Sequence, residues 1–189
     1  RKDKAEQPPK LYDLTTLQRE ANRLHGYTAQ QTLDYVQSLY EKKLCTYPQT
    51  DSRYLTEDMA GGLPVLINAV AKVLPFMKGT AVYMNPVQVI DSAKVSDHHA
   101  IIPTLTMRGT DLDALPAGER AVLHMIAVRL ICAVGNKHDY SETTVMLDCA
   151  GHAFTAKGKA ILAPGWKEAE QRFRAVPGNP ETAARGQQG

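Results

Sequence analysis

The apolar repeat of this chain changes period once, and that change constrains the fold more than any other feature. In several stretches between Leu14 and about Val134 apolar residues recur at helical spacing; beyond residue 140, Val145 and Leu147 alternate with polar neighbours. The expected fold is therefore mainly α with a small β portion. Thr15 or Thr16 is placed to cap a helix running to about Leu24, with Leu14, Leu17, Ala21 and Leu24 on one face and Gly26 as its stop. Thr28 caps a second helix to about Lys43, with Leu33, Val36 and Tyr40 inward. Two short helices joined through His25-Gly26-Tyr27 suggest a helix-turn-helix. Thr56 opens a further helical region, and Leu63 to Leu74 continues it after Gly61 and Gly62. Residues 79 to 107 read as irregular. A strong helix starts between Asp113 and Glu119 and runs to about Val134, with Val122, Ile126, Leu130 and Ala133 along one side. Asp111 and Asp113 read as caps ahead of it. Strand material begins only at about residue 140, as two strands, 142–149 and 153–156, joined at Ala150-Gly151.

Charge and cysteine content narrow the function classes. The net charge of +2 over 189 residues does not mark a nucleic-acid binder, so any such contact needs local cations or further parts of the molecule. Cys45, Cys132 and Cys149 are odd in number and widely spaced, which suits reduced thiols of a cytoplasmic protein better than a disulfide framework. No run is apolar enough to span a membrane. The opening RKDKAEQPPK reads as a connector and the closing VPGNPETAARGQQG as a flexible tail, as in a piece of a larger protein.

Tyr47 stands out within Leu44-Cys45-Thr46-Tyr47-Pro48-Gln49-Thr50-Asp51-Ser52-Arg53. Pro48 lacks a backbone donor and biases Tyr47 away from helical geometry, so the phenol can be presented at the start of a loop beside a cation. A free tyrosine ionises only near pH 10 (about 10), so it becomes a nucleophile when a base, a metal or a positive environment assists it. The alternative is a Tyr-Pro turn with a buried ring.

CTYPQTDSRYLTEDM (residues 45–59) resembles the active-site segment of type IA DNA topoisomerases, especially the topoisomerase III branch. The run LYDLTTLQREANRLHGYTAQQTLDYVQSLYEKKL (11–44) is similar to the lead into the family's tyrosine, and AKVSDHHAIIPT (93–104) to its histidine motif. The three stand in family order, and the likeness covers residues 11 to about 165.

The resemblance implies that Tyr47 and His98 are catalytic, with His98 helping to hold the scissile phosphate. Tyr47 would attack a backbone phosphorus of single-stranded DNA without ATP, giving a 5′-phosphotyrosine link that the freed 3′ hydroxyl reverses. Gln49 departs from the family's usual arginine, replacing a permanently charged fork with a neutral amide. Arg53 either contacts phosphate or pairs with Asp51 or Glu57. His99 either joins His98 or stabilises the loop. Gln18, Arg19 and Asn22 either grip a DNA strand or form a solvated helix face. The implied architecture is a helix-turn-helix or winged-helix-like tyrosine domain (11–138) inserted in a β-rich arch domain, with 1–10 as its connector, 139–172 as a partial arch and 173–189 as a flexible tail. Mg²⁺ would belong to another domain of the parent enzyme, so little activity is expected without that domain. The expected partners are single-stranded DNA and the missing domains, in a monomeric cytoplasmic enzyme of bacterial type. The alternatives are a helix-turn-helix module binding duplex DNA without catalysis and a noncatalytic interaction fragment.

Overall fold

The computed structural model of the chain describes residues 1–80, 82 and 84–176. Local capping explains the first two helices. Helix α1 (Leu14–His25) starts one turn earlier than the threonines suggest, because the Asp13 carboxylate accepts the Thr16 N–H at 2.8 Å and leaves Thr15 and Thr16 inside the helix. Gly26, at φ 71°, ends it. Helix α2 (Ala29–Glu41) opens with a capping box between Thr28 and Gln31. Its buried positions are Thr32, Val36 and Leu39. Leu33 is half-buried and Tyr40 is 39% exposed, which corrects the expectation that Tyr40 faces inward. Leu39 takes the core direction, and the next residue is turned about 100° away from it.

A 3-10 stretch (Glu57–Gly62) leads into helix α3 (Leu63–Val73), and further 3-10 turns carry the chain to helix α4 (Ala117–Ala133). Asp111 caps the turn Leu112–Ala114 by accepting the Asp113 N–H. The apolar stripe expected on α4 proves too narrow. Leu123, Met125, Ala127, Val128, Ile131 and Cys132 are buried as well, because neighbours pack against α4 from several sides. Helices α2 and α4 touch at Gly118, where a Cβ would lie 2.3 Å from Cζ of Tyr35. The same seam holds buried Glu119, which accepts from Ser38 Oγ and Lys42 Nζ, each at 2.7 Å.

Three antiparallel strands run in the order β1 (Lys2–Glu6), β2 (His138–Cys149) and β3 (His152–Ala163). Strand material therefore does not begin at residue 140. β1 pairs with β2 from Lys2 opposite Glu142 to Glu6 opposite His138, yet KDKAE is wholly exposed and carries no apolar alternation. β3 likewise runs past residue 156 to Ala163 through Lys157-Gly158-Lys159 and then Ala160-Ile161-Leu162, exposed residues held by the ladder with β2. The Ala150-Gly151 turn is as expected, with φ of 54° and 83°, the signs a two-residue hairpin requires. After β3, Trp166 N–H donates to Asn136 O at 2.9 Å and Trp166 Nε1–H to Glu6 O at 3.2 Å. These bonds fold helix α5 (Lys167–Arg174) back onto α4. Phe173 and Arg174, the first residues of the expected tail, thus belong to a helix; residues 177–189 of that tail lie outside the described residues. Among the described residues no helix is long and apolar enough to cross a membrane.

Candidate active site

The end of α2 aims the loop that carries Tyr47. Lys43 sits at φ 62°, with its N–H bonded to Tyr40 O and the Leu44 N–H bonded to Leu39 O, each at 2.9 Å. This is a Schellman closure, and its two apolar ends, Leu39 and Leu44, are both buried. The chain then runs beside residues 100–104. Thr46 N–H donates to Ile102 O at 3.0 Å and Thr104 N–H to Leu44 O at 3.0 Å. The Thr46 hydroxyl accepts the Ile102 N–H at 3.0 Å and donates to Ala100 O at 3.2 Å. This pairing joins the tyrosine segment to the histidine segment.

Tyr47 and His98 meet as a result. Their ring centroids are 4.3 Å apart at a tilt of 41°. Tyr47 is half-buried and His98 exposed, so the pair lies at the surface. Tyr40 also contacts Tyr47 edge-on, with ring centroids 5.4 Å apart at 79°. The backbone of His98 is held by Thr50, whose hydroxyl donates to His98 O at 2.8 Å. Buried Ser52 anchors the next step by donating to Lys94 O at 2.8 Å. Cys45, two residues before Tyr47, is no rival nucleophile, since burial pushes its thiol up to about 12.

The other expected residues divide. Gln49 is exposed just beyond Pro48. Among the described residues Arg53 forms no ion pair with Asp51 or Glu57; its Nε–H donates to Leu11 O at 3.0 Å, tying the loop to the chain ahead of α1. His99 turns to the backbone, its Nδ1–H donating to Ala100 O at 2.8 Å. Gln18 and Asn22 brace the turn between α1 and α2, their amides donating to Ala29 O and Tyr27 O, each at 3.0 Å. Arg19 is exposed on α1. Sequence reasoning missed Tyr40, because its separation from Tyr47 crosses a helix end where no period holds. It also missed Lys10 and Lys94, whose Nζ atoms lie 5.6 and 4.7 Å from the Tyr54 ring centroid. Tyr54 and Asp91 raise the Lys94 pKa. Among the described residues no three His, Cys, Asp or Glu gather as metal ligands, so these residues do not fit a magnesium site.

Comparison with known proteins shows the family of this chain. A family model described as DNA topoisomerase matches residues 1–184. DNA topoisomerase 3 of Bacillus cereus is 40% identical over 181 residues, covering 92% of this chain and 24% of that protein. DNA topoisomerase 3 of Bacillus subtilis is 40% identical over 169 residues, covering 84% and 22%. The chain thus spans about a quarter of the length of these curated relatives. The structure of full-length topoisomerase I from Thermotoga maritima superposes with a TM-score of 0.65 over 90% of this chain and 28% of that one, at 21% identity. That likeness speaks for the fold alone.

Proposed function

This chain belongs to the type IA DNA topoisomerases, on the side of topoisomerase 3, and from that premise we propose that it carries the nucleophile that cuts and reseals one DNA strand. The carrying observation is the contact between Tyr47 and His98, 4.3 Å between centroids, made by two segments far apart in sequence. In the proposed step the Tyr47 oxygen attacks a backbone phosphorus of single-stranded DNA. The P–O bond to the 3′ hydroxyl breaks, and the phenolic proton leaves to solvent or a base. The leaving oxygen takes up a proton, and the 5′-phosphotyrosine conserves one ester bond for another. The 3′ hydroxyl reverses the step, so no ATP is consumed.

His98 has the position for a donor to a phosphate oxygen, being exposed beside the phenol. Gln49 can donate only a neutral hydrogen bond to the charge that develops. Arg53 keeps donors beyond the one spent on Leu11 O for a phosphate. Gln18, Arg19, Asn22 and His99 remain further candidates for DNA contact. Residues 11–138 form the tyrosine domain in this reading, of helix-turn-helix or winged-helix character, while 1–10 and 139–172 belong to an arch. The protein acts as a cytoplasmic monomer, and its Mg²⁺ is held by another part of the enzyme.

The test is adduct trapping. The full-length protein is incubated with Mg²⁺ and an end-labelled single-stranded oligonucleotide, then quenched with denaturant. A protein–DNA adduct that disappears in Tyr47→Phe is the expected result. An adduct that persists in that variant, or a wild type that forms none while binding duplex DNA sequence-specifically, would overturn the proposal in favour of a noncatalytic DNA-binding module.

A further inference from the structure

We propose that Lys10 and Lys94, converging on the ring of Tyr54, form a clamp for a backbone phosphate of the single strand that Tyr47 cuts; the proposal rests on the reading of Tyr47 given above. The net charge of +2 supplies no broad attraction to DNA, so within this chain any attraction comes from local cations. The two ammonium groups come from segments remote in sequence and lie 5.6 and 4.7 Å from one aromatic centroid. Both lysines are exposed. Like charges brought to one ring repel. The ring's negative face offsets part of that repulsion, as does Asp91, whose carboxylate lies 3.5 Å from Lys94 Nζ. An arriving diester oxygen offsets the rest.

Hydrogen bonds to backbone carbonyls connect the clamp to the segments that carry Tyr47 and His98. Ala100 N–H donates to Tyr54 O at 2.9 Å, two residues beyond His98. Ser52 Oγ–H donates to Lys94 O at 2.8 Å, and Arg53 Nε–H to Leu11 O, next to Lys10, at 3.0 Å. Residues 47–54 therefore carry Tyr47 at one end and the clamp at the other. A strand lying along this loop would pass its scissile phosphate to Tyr47 and a neighbouring phosphate to the lysines. Lysine is a compact point charge without a fixed fork, which suits contact with a phosphate irrespective of base.

The experiment is a salt titration of the full-length protein with a fluorescent single-stranded oligonucleotide, for wild type, K10Q, K94Q, the double variant and K94R. Each single Lys→Gln change is expected to flatten the slope of log affinity against log salt by about 0.7, and the double variant by about 1.4. K94R keeps the wild-type slope, and an oligonucleotide of abasic residues shows the same losses. A double variant with the wild-type slope overturns the clamp, as does an effect that vanishes on abasic DNA. Adduct trapping runs in parallel. An unchanged slope in a protein that still forms the Tyr47 adduct refutes the clamp alone. A wild type without adduct refutes the Tyr47 reading, and the slopes then decide whether the lysines bind phosphate at all.

Discussion

Replacing Thr46 by valine should loosen the active site from beneath. The two side chains have nearly the same shape, so the change removes a hydroxyl and little else. That hydroxyl accepts the Ile102 N–H at 3.0 Å and donates to Ala100 O at 3.2 Å. The two bonds are not equal in consequence. Ala100 O also receives the His99 Nδ1–H at 2.8 Å and keeps a partner. Ile102 is 2% exposed, and its N–H would lose that acceptor without ready access to water. Leaving one buried donor unsatisfied costs about 1–3 kcal/mol. At about 2–4 °C per kcal/mol for a chain of this size, a cost of about 2 kcal/mol lowers Tm by roughly 4–8 °C. Thr46→Ser, which keeps the hydroxyl, should fall by much less. Differential scanning calorimetry of the three proteins measures this, and hydrogen exchange at Ile102 localises it. Because the same bonds join the tyrosine and histidine segments, adduct formation should slow in Thr46→Val more than in Thr46→Ser. If Thr46→Val melts at the wild-type temperature, or if the serine variant loses as much, the hydroxyl does not hold these segments together and the reasoning fails.

Three other outcomes follow from the site and its surroundings. Gln49→Arg should raise single-turnover cleavage by about 10²- to 10³-fold by restoring a cation where charge develops, as judged by quenched time courses; an unchanged rate would mean that another group already supplies that charge. At neutral pH a thiol reagent should modify exposed Cys149 and spare buried Cys45 and Cys132, with all three reacting in denaturant. Burial pushes the two buried thiols from 9.0 up to about 12, so the folded chain keeps protons that the unfolded chain loses. Their contribution to stability is present below pH 9 and declines towards pH 12, at about 1.4 kcal/mol per pH unit for each thiol, which denaturant titrations across that range can follow.

Much of the site was legible because its signals are local. The Tyr-Pro step, the Thr28 cap and the Ala150-Gly151 turn act within a few residues, and each stands where the sequence indicates. The capping of α1 was misread because Asp13 and Thr16 compete for the same turn, and only the geometry of the chain entering the helix selects between them. His98 was identified by likeness to a family motif. Its meeting with Tyr47 was not readable from either segment, because it depends on Thr46 bonding across to Ala100 and Ile102.

Short-range signals in the chain specify α1 to α4, the hairpin turn and the chemical identity of the candidate nucleophile, since caps, turn residues and apolar periods act locally, whereas helix α5 lies where the sequence reads as arch and tail. Tertiary structure decided the rest. It recruited the polar strand Lys2–Glu6 through backbone pairing that requires no apolar pattern, and it buried α4 beyond the stripe its period indicates because several neighbours share that helix. It turned Tyr40 outward against Tyr47 and gathered Lys10 and Lys94 on Tyr54. Such contacts depend on where remote segments end in space, and no spacing along the chain encodes that distance.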